Sequence, residues 1–147
     1  MIRFFIQCLG KVGLANQNYS INKNDGLSLI NTYLTLSLKC VPPADKPTKQ
    51  ELLNCSNYLR EEFLILNNVK VIVALGKIAF DSIIFYYKKN FIFKAKDINF
   101  SHGSIINLPD KKKLIASYHP SPRNVNTGRI NIIKFTKLFK KIIMLVS

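Results

Sequence analysis

Two periods of apolar residues run along this chain, and the switches between them mark its elements. Ile2, Phe5, Ile6 and Leu9 recur at helical spacing, which predicts an amphipathic helix that Gly10 or Gly13 can end in a left-handed conformation. No Ser, Thr, Asp or Asn precedes Ile2 as a cap, so the chain is expected to open inside a helix. Residues 16–26 are rich in Asn, Ser and Asp and read as a loop. Residues 33–39 then alternate, with Leu34, Leu36 and Leu38 on one face and Thr35 and Ser37 on the other, which predicts a strand. Three prolines make residues 40–47 an irregular loop, because proline suits neither a ladder nor a helix interior. Thr48 and Glu51 have the spacing of a capping box for a helix to about Leu66, with Leu52, Cys55, Leu59 and Phe63 on one face. Residues 69–75 form a β-branched run ending at Gly76, as a buried parallel strand does. Another helix follows from Lys77 to Tyr87, offering Ile78, Phe80, Ile83 and Ile84 for packing. Residues 88–112 carry charge runs and read as mostly loop, and residues 113–118 read as a strand leading into His119. Thr127 is placed to cap a final helix, with Ile132, Phe135, Phe139 and Ile142 inward and Lys134, Lys137, Lys140 and Lys141 in water.

Strands alternating with helices predict an α/β fold with a mainly parallel sheet and right-handed crossovers. At 147 residues, 1–147 is expected to form a single domain. An apolar content of 48% suits a packed core and excludes a disordered tail. No apolar run approaches the roughly 18–20 residues that span a membrane, and the first nine residues are too short and poorly flanked for a secretory signal. A cytoplasmic protein with no membrane partner is expected.

The net charge of +14 favours polyanions. It needs a discount, because 18 of the 22 cations are Lys, and Ile (19) and Asn (15) are also abundant, as AT-biased coding would write at tolerant positions.

In an open parallel sheet, ligands bind at the carboxyl ends of the strands. Three segments qualify by position: residues 40–47, Gly76-Lys77, and residues 119–124. His119, after a strand and before a rigid Pro-Ser-Pro turn, is placed to donate a hydrogen bond into a cleft, or simply to satisfy a backbone carbonyl. Gly76-Lys77 lacks the upstream glycine of a phosphate loop and is rejected as one. Without a secretory signal, Cys8, Cys40 and Cys55 read as thiols or metal ligands rather than disulfides. Cys8 sits where a small apolar residue would, and Cys40 and Cys55 on pattern alone are buried thiols.

A longer series of motifs occurs in order. Gly13-Leu-Ala-Asn-Gln17, Asp25-Gly-Leu27, Lys39-Cys-Val-Pro-Pro43 and Lys46-Pro-Thr48 come first. Val73-Ala-Leu-Gly76, Ile78-Ala-Phe80 and His102-Gly103 follow, then Ser117-Tyr-His-Pro-Ser121, Asn124 and Thr127-Gly-Arg129. Nearly the whole chain thereby resembles the type-5 branch of the uracil-DNA glycosylase superfamily, the iron–sulfur enzymes related to the type-4 branch.

The resemblance implies a three-layer α/β/α sandwich around a parallel four-stranded sheet. It implies base-excision repair: hydrolysis of the N-glycosidic bond of uracil and other deaminated bases in DNA, after the base leaves the stack. His119 matches the family histidine that stabilises charge on the departing base. Pro120, Ser121, Pro122, Arg123 and Asn124 match the loop that enters the minor groove, and Arg123 and Arg129 become candidate phosphate contacts. Cys40 and Cys55 match two of the four cysteines that hold a structural [4Fe–4S] cluster.

A complete member carries an N-terminal region with the first cluster cysteines, a first central strand and a glycine-rich motif with a water-orienting Asp. These have no counterpart here, and Asp45 stands where members usually carry Asn. The resemblance therefore implies a truncated or split version, weakly stable and poorly active alone, a monomer or one complemented by an upstream fragment. Two further readings stand beside it: a non-catalytic DNA-binding remnant, and a small cytoplasmic metal-binding protein using Cys40 and Cys55.

Overall fold

The two β-branched runs flanking residues 77–112 lie side by side. In the computed structural model, which describes residues 2–35, 48–94 and 98–146, β1 (Val71–Leu75) pairs in parallel with β3 (Lys113–Ser117), from Val71 opposite Lys113 to Leu75 opposite Ser117. A third strand, β2 (Ile105–Asn107), lies antiparallel on the other edge of β3, giving the order β1-β3-β2. The fold is α/β, and the sheet among the described residues is mixed and three-stranded rather than wholly parallel. Residues 105–107, expected as loop, form a hairpin with β3 because a tight turn reverses the chain. Lys111 donates to the Leu108 carbonyl, Leu108 to that of Lys112, and Lys111 itself takes a positive φ of 71°.

Residues 33–35, the start of the expected alternating strand, belong to no strand, and Leu34 is exposed. Residues 36–39 and the proline loop at 40–47 lie outside the described residues.

The chain gathers into two units, Met1–Leu34 with Tyr118–Ser147, and Thr35–Ser117. The second unit holds the sheet with α2 (Lys49–Ile65) and α3 (Lys77–Asn90). The Thr48 hydroxyl accepts the Glu51 N–H at 3.2 Å and starts α2 where the capping box predicts. Gly76 turns β1 into α3 at φ 99°, and its N–H donates to the Ser117 carbonyl, tying the ends of β1 and β3 together. Phe80, Ile83 and Ile84 of α3 join Ala74, Leu114 and Ala116 of the sheet in the core, whereas Ile78 stays exposed. Tyr87, fully buried, directs its hydroxyl to Asp110 at 2.8 Å, and Asp110 also takes the Lys112 ammonium at 2.8 Å.

The first unit contains α1 (Ile2–Lys11), the short α4 (Pro122–Asn126) and α5 (Ile132–Val146). Helices α1 and α5 pack through rings: Phe135 lies 5.5 Å from Phe4, 5.8 Å from Phe5 and 4.9 Å from Phe139, centroid to centroid. Phe135, Phe139 and Ile142 are buried as the helical period predicts, Ile132 is half-buried, and the four lysines are exposed. Thr127 does not cap α5. It closes α4, while the Asn131 side chain accepts the Lys134 N–H at 2.8 Å and begins α5. Gly10 sits inside α1, and a side chain there would meet the Gln17 carbonyl at 2.6 Å and the Asn18 Cα at 2.8 Å. The loop that follows is closed by Asp25, whose carboxylate accepts N–H groups of Ile21, Asn22 and Leu27. These bonds hold its pKa below the ordinary carboxylate value.

Candidate functional site

His119 follows the carboxyl end of β3 by two residues and opens a segment braced from both sides. Its carbonyl accepts two hydrogen bonds, from the Ser121 N–H at 2.8 Å and from the Asn124 side-chain amide at 2.9 Å. The Ser121 hydroxyl in turn accepts the Asn124 N–H at 3.2 Å, capping α4, and Pro122 occupies its first turn, where a missing N–H costs nothing. The Asn124 carbonyl takes the Ile130 N–H at 3.2 Å. One residue thus joins the histidine backbone, the start of α4 and the approach to α5.

Around this frame the side chains divide. Pro120 is buried, Ser121 and Asn124 are half-buried, and Pro122, Arg123 and Arg129 are exposed. Gly128, at φ 75°, turns the chain before Arg129, and the Lys134 ammonium donates to the Gly128 carbonyl at 3.1 Å. The segment therefore offers a rigid turn with two exposed guanidinium-bearing residues at its edge, suited to a polyanionic backbone.

The imidazole of His119 is half-buried, and the loss of water around it lowers its pKa below the ordinary 6.5. At neutral pH it is uncharged, with one N–H to donate. The same shift has a sign in stability. The unfolded chain binds the proton more readily, so stability present above about pH 6.5 is lost as pH falls toward the depressed folded value. A His119→Gln variant is expected to lose less stability than the parent between about pH 7.5 and pH 5, read from urea midpoints. Parallel curves would mean that burial of the ring does not differ between the folded and unfolded chains.

The other strand-end candidate contributes less. Lys77 pairs with Asp81 at 2.7 Å on the exposed face of α3, which occupies its ammonium. Its neighbour Gly76 serves the turn.

A [4Fe–4S] cage needs four thiolate donors. Cys55 is buried on α2, and Cys40 lies outside the described residues. Cys8 is fully buried on α1, where it packs as a small apolar residue would, and burial pushes its thiol up to about 11. Among the described residues no three His, Cys, Asp or Glu side chains gather as a metal site. The described residues alone do not supply its four donors. No helix among the described residues is long and apolar enough to cross a membrane.

The resemblance marks Asn124 as part of the minor-groove loop but not as the clamp on the His119 carbonyl. An Asn five residues beyond a strand-end histidine, behind a Ser-Pro helix start, is the local signal that could have found it.

Residues 3–145 match the model of the family described as the Uracil DNA glycosylase superfamily. The type-5 uracil-DNA glycosylase of Pyrobaculum aerophilum is 36% identical over 130 residues, covering 88% of this chain and 54% of that protein. That of Thermus thermophilus is 36% identical over 127 residues, covering 86% of this chain and 56% of its own length. A type-4 uracil-DNA glycosylase from Archaeoglobus fulgidus is 32% identical over 105 residues, 65% of this chain and 48% of that protein. The chain spans about half the length of these curated relatives.

Proposed function

This chain belongs to the uracil-DNA glycosylase superfamily, and from that premise we propose that it hydrolyses the N-glycosidic bond of uracil in DNA. Hypoxanthine, xanthine and other deaminated bases extend the substrate range in this reading. The observation that carries it is the placement of His119, neutral and held by its own carbonyl, within a chain matched to the family from residue 3 to 145.

The base must first leave the stack, since a duplex hides the bond to be cut. As that bond breaks, its electron pair passes to the base, and negative charge gathers on the pyrimidine oxygen beside the glycosidic nitrogen. A neutral imidazole N–H aimed there stabilises the developing anion without needing a proton transfer. Water adds its hydroxyl to C1′ of the sugar and its remaining proton ends on the departed base, leaving an abasic site and the free base. Pro120, Ser121, Pro122 and Asn124 form the stiff turn that holds the flipped nucleotide out, and Arg123 and Arg129 take flanking phosphates. Cys40 and Cys55 are proposed as two thiolates of a structural iron–sulfur cluster whose other donors would have to come from outside the described residues. No step of the reaction runs through it.

The test is base release from a uracil-containing duplex, with alkali cleavage reading the abasic sites. Enzymatic turnover above an unmodified control duplex is expected. Binding to that duplex with no abasic sites would replace this reading with that of a DNA-binding protein that does not cut. The charge of the first unit serves either.

A further inference from the structure

Charge is divided unequally along this chain. Residues 1–34 and 118–147, the unit that holds His119, carry nine Lys and Arg against a single carboxylate, Asp25. Asp25 is already engaged by the N–H groups of its own loop. Three of the nine cations converge: Lys11 at the end of α1 and Lys137 and Lys140 on α5 line an open groove of about 300 Å³ with Ile132, Ile133 and Thr136. Among the described residues no acidic side chain lines it. The Thr136 Oγ1 is buried and lies in hydrogen-bond contact with the Cys8 thiol. A groove that gathers like charges from two helices with no carboxylate among its described lining is poorly explained as a solvated outer face.

A second observation gives the groove a direction. The Lys134 ammonium reaches the Gly128 carbonyl at 3.1 Å, so the lysine row of α5 begins at the turn that carries Arg129. From Lys134 to Lys140 the helix rises about 9 Å, a span of two to three phosphates along one strand at roughly 3.4 Å each.

We infer that the groove of Lys11, Lys137 and Lys140 is a second phosphate-binding surface, which takes the DNA backbone beyond the Arg129 turn and is blind to base identity. The choice of DNA as ligand rests on the base-excision reading above. The lysines supply charge that releases counterions from the duplex. Ile132, half-buried, and Ile133, exposed, give the groove an apolar wall beside the lysines.

The test measures affinity of the full chain for an undamaged duplex of about 20 base pairs by fluorescence anisotropy across a KCl series. With each phosphate contact contributing about 0.9 to the logarithmic salt slope, the triple variant K11Q/K137Q/K140Q is expected to flatten that slope by about 2–3. Between roughly 50 and 200 mM salt, its loss of affinity is then about 40-fold smaller than that of the parent. The matched K11R/K137R/K140R variant keeps the parent slope and shows that charge, not shape, is read. An unchanged slope in a glutamine variant with parental circular dichroism would overturn the proposal. So would lysine-dependent binding to phosphatidylserine vesicles without lysine-dependent binding to the duplex, since that outcome makes the groove a lipid surface. No catalysis enters the readout, so a failure of base excision and a failure of this surface are told apart.

Discussion

Replacing His119 with alanine is expected to slow uracil release by about 100- to 1000-fold, the usual consequence of removing one donor to a developing anion. The fold should survive the change, for a reason visible in the segment itself. Ser121 and Asn124 bond the carbonyl of residue 119, which alanine retains, and not the imidazole. Single-turnover release from a uracil-containing duplex is the measurement, because it isolates the bond-breaking step from product release. Affinity for the same duplex should change by far less than the rate, as an interaction made mainly in the transition state requires. A His119→Asn variant, which keeps a short N–H donor, is expected to fall between the two. An alanine variant within about threefold of the parent would remove the histidine from the chemistry, however well its backbone is held.

The second large effect is on stability. Phe135→Ala is expected to cost about 3–5 kcal/mol, the range for truncating a buried phenylalanine. The ring is fully buried and meets three others, stacking on Phe4 and standing edge-on to Phe139. Removing it leaves a cavity that α1 and α5 can fill only by closing together, and α1 already lies close against the 17–18 backbone at Gly10. Against a total of roughly 5–15 kcal/mol for an ordinary domain, such a loss puts much of the variant near its unfolding midpoint at 37 °C. Urea denaturation followed by circular dichroism reads it directly. A cost below about 1 kcal/mol would show that the aromatic cluster does not hold the two helices together.

What could be read from the sequence was what depends on neighbours in the chain. The capping residue Thr48, the period of α5 and the turn at Gly76 are set by local chemistry, and each stands where the pattern put it. Strand β2 escaped because three residues are too few for a period, and its pairing with β3 is settled by a turn at Leu108–Lys112 whose key feature is a lysine at positive φ. Thr127 was mistaken for a start when it is an end. Ser121 before Pro122, and Asn131 three residues before Lys134, carry the caps. At the site, His119 stood out because its residue type and its place after a strand are both sequence properties. The grip of Asn124 on it did not, since a hydrogen bond across five residues depends on the turn that creates it. The groove of Lys11, Lys137 and Lys140 joins residues more than 120 positions apart, which no local pattern can foretell.

The amide of Asn124 also sets a chemical lifetime. Spontaneous hydrolysis of that side chain would exchange the NH₂ that donates to the His119 carbonyl for an anionic oxygen. Two acceptors would then face each other at under 3 Å, and the turn would be pushed apart from within. A protein read here as a mender of hydrolytically deaminated bases would age by the same reaction, losing its grip when ammonia leaves one of its own side chains.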